Sequence, residues 1–139
     1  MTDINALFKA LSNAARDTRA DYHMTLGGAI KWCDDNKSRN GLRVVFDNGG
    51  SPSKVGSYRG YYEDLAISSG GKEMTLAAFE KMLRQARGTE FTGYKGGEFE
   101  MGDDTVLWNS EYGMASGCAV MGMTVDDGKV IIITKQVTD

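Results

Sequence analysis

The sequence predicts an α+β fold, with N-terminal helices, one central helix and a mainly antiparallel sheet that closes on a C-terminal hairpin. Three observations carry this expectation. Apolar residues recur at helical spacing near the start of the chain and again after Thr75. Strand-type patterning fills the later part, interrupted by the turn signal Asp126-Asp127-Gly128. Helices first and strands last fit α+β better than a wound α/β sheet, in which the two alternate. A length of 139 residues suits a single domain. Within it, residues 1–40 form a helical N-terminal part and residues 41–139 an α+β core.

Taken in order, Ile4, Leu7, Phe8 and Leu11 follow the i, i+3, i+4, i+7 rule, and Ala14 and Ala15 continue that face. Thr25 is an N-cap for a second helix carrying Leu26, Ile30 and Cys33 on one side. Gly27 and Gly28 weaken that helix by ~1 kcal/mol each against alanine, and they permit close packing of another element. Leu42 to Phe46 has strand composition, and Asp47-Asn48-Gly49-Gly50 ends it. Ser51 to Gly60 reads as a small, polar, mobile loop, and Tyr61 to Ile67 as a strand or a short helical turn. Ser68-Ser69-Gly70-Gly71 reads as a loop. Thr75 caps a third helix with Leu76, Phe79, Leu83 and Ala86 on its apolar face, and Gly88 stops it. Thr105 to Trp108 and Gly117 to Val125 are strands, the latter with Ala119, Met121 and Met123 on one face. Lys129 to Thr134 returns from the hairpin. Its three consecutive isoleucines imply burial on both faces or an edge covered by a helix.

Composition narrows the function classes. Hydrophobic residues make up 41% and charged residues 25%, so the chain can build a core without the signature of disorder. No apolar run approaches the ~20 residues of a membrane span. Met1-Thr2-Asp3-Ile4-Asn5 lacks the basic start of a signal peptide, so the expected compartment is the cytoplasm. Cys33 and Cys118 are the two cysteines and His23 the single histidine. No Cys-x-x-Cys spacing occurs, so reduced, buried thiols are expected, without zinc or another cofactor. A net charge of -3 argues against wrapping duplex nucleic acid. Eighteen glycines with one proline imply many tight turns.

The densest chemistry lies in the segment from Gly49 to Asp64. Lys54 and Arg59 supply charge, and Gly56 and Ser57 supply hydrogen bonds. Tyr58 and Tyr61 offer rings on which a base can stack. From Lys37 to Tyr62 the cations Lys37, Arg39, Arg43, Lys54 and Arg59 stand against Asp47 alone. No Gly-Lys-Ser/Thr follows at P-loop distance. A second feature is acidic. Glu98 and Glu100 share one face of an extended segment, Asp103 and Asp104 follow, and no Lys or Arg occurs between Glu98 and Gly128. These four acids are the candidate partner-binding residues.

Two resemblances add to this. Tyr58-Arg59-Gly60 with a later Glu98-x-Glu100 resembles the arginine and paired glutamates of ADP-ribosyltransferases. That likeness implies a dinucleotide phosphate on Arg59 and an acceptor or sugar oriented by the second glutamate. The stretch from Gly56-Ser57-Tyr58-Arg59-Gly60-Tyr61-Tyr62 to Ile67 is similar to one found in small accessory proteins of tailed bacteriophages. So is the segment Gly93-Tyr94-Lys95-Gly96-Gly97-Glu98-Phe99, followed by Trp108, Tyr112-Gly113 and Ser116-Gly117. The likeness runs from Leu42 to Thr134 and implies a phage protein acting in the host cytoplasm against host defence or metabolism. The expected function is non-enzymatic binding of a phosphorylated small molecule, such as a nucleotide signal, through the Gly/Ser/Tyr/Arg loop. One alternative is a protein–protein inhibitor of a host enzyme using the acidic face, and the other is a small enzyme acting on NAD or a phosphate ester. A homo-oligomer is compatible with each.

Overall fold

Threonine hydroxyls start both helices seen among the described residues. Thr25 Oγ1 accepts from the Gly28 amide at 3.0 Å and opens α1 (Leu26–Asp35). Thr75 Oγ1 accepts from the Ala78 amide at 3.2 Å and opens α2 (Leu76–Ala86). Each satisfies an amide that the helix itself leaves unbonded. The computed structural model describes residues 23–93, 96–110 and 116–137, and the helix expected over Ile4 to Ala15 lies outside them. Gly27 has the close neighbour that its glycine suggested. A Cβ there would stand 2.8 Å from that of Asp103, and the Gly27 amide donates to the Asp103 carbonyl at 3.0 Å. Gly88 ends α2 with φ 81°, a conformation that costs other residues energy.

The strands in chain order are β1 (Arg43–Phe46), β2 (Pro52–Ser57), β3 (Leu65–Ser69), β4 (Met74–Thr75), β5 (Glu90–Thr92), β6 (Glu98–Glu100), β7 (Leu107–Ser110), β8 (Cys118–Asp126) and β9 (Lys129–Gln136). Seven of them form one sheet in the order β2-β3-β7-β8-β9-β1-β4, and β5 and β6 form a separate ribbon. The fold is α+β. Its sheet is mixed, because β1 runs parallel to β9 and β3 parallel to β7, while the remaining neighbours are antiparallel. The terminal hairpin turns where its sequence placed it. Asp126 faces Lys129, and Asp127 and Gly128 both take positive φ, 50° and 73°.

Two expectations need correction. Most of Ser51 to Gly60 is strand β2, and Ser68 and Ser69 belong to β3. Serine and glycine composition reads as loop, but β2 is an edge strand and pairs with β3 alone within the sheet. It needs neither two buried faces nor strong intrinsic propensity. The second correction concerns β8. A register shift between Val120 and Gly122 inserts an extra residue at Met121. Val120 and Met123 therefore face one side, while Ala119 and Met121 lie on the other.

The sheet thus has two differently used faces. Val44, Phe46, Leu65, Ile67, Leu107, Val130 and Ile132 point to α1 and α2 and meet Leu26, Ile30, Cys33, Phe79 and Leu83 in one core. The same core holds α1 and the sheet together, so among the described residues the helical part is not separate from the β part. The opposite face carries Ala66, Trp108 and Ala119. The isoleucine triplet divides accordingly: Ile132 is buried, Ile131 half-buried and Ile133 exposed. Leu83→Ala, at a fully buried site on α2, should lower stability by about 2–5 kcal/mol. Thr75→Ala should lower it by about 1 kcal/mol. Urea denaturation of the two variants measures both.

Candidate functional site

The segment between β2 and β3 folds back tightly. The Tyr58 amide donates to the Asp64 carbonyl at 2.9 Å, the Asp64 amide to the Tyr61 carbonyl at 2.8 Å, and the Ser57 hydroxyl to the Tyr62 carbonyl at 2.7 Å. These bonds lay Tyr58 flat on Trp108, with ring centroids 4.5 Å apart and planes 4° from parallel. Tyr58 is only 2% exposed, and its hydroxyl accepts from the Gly117 amide at 2.8 Å. Burial pushes its pKa up. Tyr61 lies half-buried over Trp108 at 6.0 Å, and His23 meets the indole edge-on at 4.8 Å. The buried Asp64 carboxylate accepts from the Trp108 indole N–H at 2.9 Å. Tyr58 therefore has its ring face against Trp108, and Ser57 has its hydroxyl committed within the loop.

Lys54 and Gly56 sit on β2, on the same side as this aromatic cluster. Register aligns Lys54 with Ser68 and Ser68 with Ser110, so the three cross the strands in one row. The next row is Gly56, Ala66, Trp108 and Ala119. Lys54 is exposed and Arg59 half-buried, and a Cβ on Gly56 would meet nothing among the described residues within 4 Å. Ser110 is 4% exposed, and its hydroxyl has no hydrogen-bond partner among the described residues. The sequence reading missed both Ser68 and Ser110. Serine in a strand carries no signal until the register places it beside a lysine.

The acidic residues divide in two. Phe99 turns toward Tyr62, with rings 5.9 Å apart, so Glu98 and Glu100 project from the other face of the ribbon and are exposed. Glu100 lies directly opposite Glu90, and Glu98 opposite Thr92. Asp104 is exposed. Asp103 instead ties its turn to the helices, through Arg87 at 3.3 Å and through its carbonyl to Gly27.

The cations counted between Lys37 and Tyr62 do not gather in one patch. Arg39 donates to Asn36 Oδ1 and Arg43 to the Glu73 carbonyl. Lys37 reaches the carboxylate of Glu80 at 2.7 Å to each oxygen, and Arg84 Nε donates to the same group at 2.7 Å. Asp34 adds longer contacts of 3.7 Å to Lys37 and 3.6 Å to Arg84. The Lys37 ammonium, and after it Arg84, hold the buried Glu80 carboxyl below the ordinary carboxylate range. Nothing in the sequence joins Lys37 to Glu80 across 43 positions; only the i, i+4 spacing of Glu80 and Arg84 was legible. Burial, and next to it the charge of Glu80, push the Cys33 thiol up to about 12, so it is a poor nucleophile. Among the described residues, two open hollows on this helical side do not include Lys54, Gly56, Ser57, Tyr58, Arg59 or Tyr61.

Among the described residues, no group of three His, Cys, Asp or Glu side chains is placed to hold a metal ion, and no helix is long and apolar enough to cross a membrane. No protein-family model, no curated protein and no solved structure matches this chain.

Two outcomes follow from these contacts. Tyr58→Phe should lower stability by about 1 kcal/mol, read by urea denaturation, because it leaves the Gly117 amide without its acceptor. For Glu80 the sign follows from a folded pKa below the ordinary value of 4.5. Its contribution is complete above that pH and is lost as pH falls through the lower folded value. Glu80→Gln should therefore be less stable than wild type at pH 7, and the gap should close on acidification below pH 4.5. A constant gap down to pH 2.5 in thermal melts, at roughly full size, would contradict this assignment.

Proposed function

We propose that this chain is a non-enzymatic binding protein of phage origin that holds a phosphorylated small molecule, such as a nucleotide signal, in the bacterial cytoplasm. The binding surface in this reading is the sheet face opposite the helices, beside the β2–β3 loop. The observation that carries it is the buried hydroxyl of Ser110, without a partner among the described residues, in register with Ser68 and Lys54. An unbonded buried hydroxyl costs about 1–3 kcal/mol, and a bound oxygen-rich group would relieve that cost. Lysine and serine side chains are suited to phosphate oxygens. The open room above Gly56 and the half-buried Tyr61 ring lie beside the row, where a base or sugar would rest. Arg59, on the β2–β3 loop, supplies a second positive charge. In this reading Tyr58 supports the site by bracing Trp108 rather than by stacking on the ligand. The turning of Glu98 and Glu100 away from Tyr62 favours binding over the ADP-ribosyl chemistry that their spacing resembles.

Calorimetry and thermal melting against a nucleotide panel test this. A ligand at 100 times its dissociation constant should stabilise the protein by ~2.7 kcal/mol. Gly56→Val fills the open room in a residue type that suits a strand, and should abolish the shift while the protein stays folded. Ser110→Ala should weaken binding by roughly tenfold without lowering stability. The absence of a shift with every nucleotide would remove the reading.

The ribbon supports a second reading, an inhibitor that docks a basic surface of a host protein. Glu90 and Glu100 are like charges placed directly across an exposed ribbon, an arrangement that opposes folding. Glu98 and Asp104 extend the exposed acidic set. Reversing Glu98 and Glu100 to lysine should abolish co-purification with a stoichiometric host protein, and raised salt should weaken the wild-type complex. Retention of the partner by the reversed variant would exclude this surface.

A further inference from the structure

On the other side of the sheet, and independent of the reading above, a cluster of charged side chains is built around Glu80. The helix α2 and the 3-10 turn Lys37–Arg39 enclose an open hollow of about 490 Å³. The Ala77 amide donates to the Asn40 carbonyl at 2.9 Å and stitches the turn to the helix at its floor. Ala77, Lys81 and Gln85 follow one another at i, i+4 along α2, so they share one stripe of the helix, and the small Ala77 side chain leaves the room.

The walls carry Lys37, Lys81 and Arg84 against the carboxylate of Glu80, and Asp34 at the rim stands 3.7 Å from Lys37 and 3.6 Å from Arg84, so the cluster keeps one positive charge in excess in a chain whose net charge is -3. A purely structural tie between the turn and α2 accounts for part of this. It requires Glu80, Lys37 and the Nε of Arg84. It does not require Lys81, which makes no ion pair among the described residues. Of the two terminal nitrogens of Arg84, one forms a long ion pair with Asp34 at 3.6 Å, and neither makes a hydrogen bond among the described residues. Glu80 fixes the positions of Lys37 and Arg84, so their charged groups are already oriented before any ligand arrives.

We propose that this hollow binds the dianionic phosphate of a small phosphomonoester, with Arg84, Lys81 and Lys37 around the phosphate and Asn40 and Gln85 beside the polar remainder. A phosphomonoester carries close to two negative charges at pH 7, and three cations line the hollow to meet them. The arginine fork suits two phosphate oxygens, and lysine adds charge without fixed geometry. The volume lies within the ~300–1,000 Å³ of small-molecule sites.

The test is a titration of the full chain followed by amide NMR, first with inorganic phosphate and then with a sugar phosphate. The expected result is a saturable shift of the Lys37, Asn40, Lys81, Arg84 and Gln85 amides, with a dissociation constant on the order of 1 mM for phosphate and tighter for the sugar phosphate. Affinity should rise between pH 5.5 and 7.5, as phosphate becomes the dianion around its pKa of roughly 6–7. Lys81→Glu should weaken binding by roughly tenfold and leave the melting temperature unchanged, because Lys81 is exposed. Gly56→Val and Ser110→Ala should leave this binding intact, which separates it from the reading of the opposite face. Shifts that chloride reproduces at equal ionic strength would overturn the proposal. So would binding that Lys81→Glu does not weaken, or the lack of saturation at concentrations roughly tenfold above 1 mM.

Discussion

Alternation along β3 and β7 divides the molecule into two chemical environments. Leu65, Ile67 and Leu107 enter the core beneath the helices, while Ala66 and Trp108 face the other way. The spacing is imposed by the pleat, so a slip of one residue would exchange the two sets and put the indole among the leucines. Everything proposed for the far face depends on this register. It places Lys54, Ser68 and Ser110 in one row and lays Tyr58 on Trp108 in the next.

The insertion at Met121 extends the same division into β8. Without it, Met123 would share a face with Ala119 and leave the helical core short of a side chain. With it, Val120 and Met123 both reach that core, and Ala119 still packs beside Trp108. Local twist at such a bulge also allows a strand of this length to follow a curved sheet. Asp64 belongs to the far-face arrangement. A buried carboxylate is expensive unless it is bonded, and the Trp108 indole N–H supplies one bond while fixing the ring on which Tyr58 and Tyr61 rest.

The helical side works by a different rule. Its apolar stripe is ordinary, but Glu80 interrupts the burial with a charge that draws Lys37 and Arg84 onto it. Ion pairs between a buried carboxylate and exposed cations contribute modest net stability, because desolvation of the carboxylate and screening of the cations offset most of the attraction. Their stronger effect is to hold charged groups in fixed places. Two side-chain clusters of unlike construction thus flank one sheet. One is a row of strand side chains beside an aromatic cluster, and the other is a hollow between a turn and a helix.

The sequence by itself determined the elements that rest on local chemistry. Thr25 and Thr75 cap helices because a hydroxyl can reach an amide three residues on, and Asp127-Gly128 turns because both residues accept positive φ. The α+β class followed from such signals. The exposed side of Glu98 and Glu100 followed from their spacing across Phe99. Only the tertiary structure decided that β2 is a strand, since a serine- and glycine-rich edge takes its stability from its neighbour. The same holds for Tyr58, whose exchange of solvent for Trp108 depends on a residue 50 positions away. It holds too for the pairing of Lys37 with Glu80. In each case the deciding contact is long-range, and a side chain's local pattern does not record which distant partner will exclude water from it.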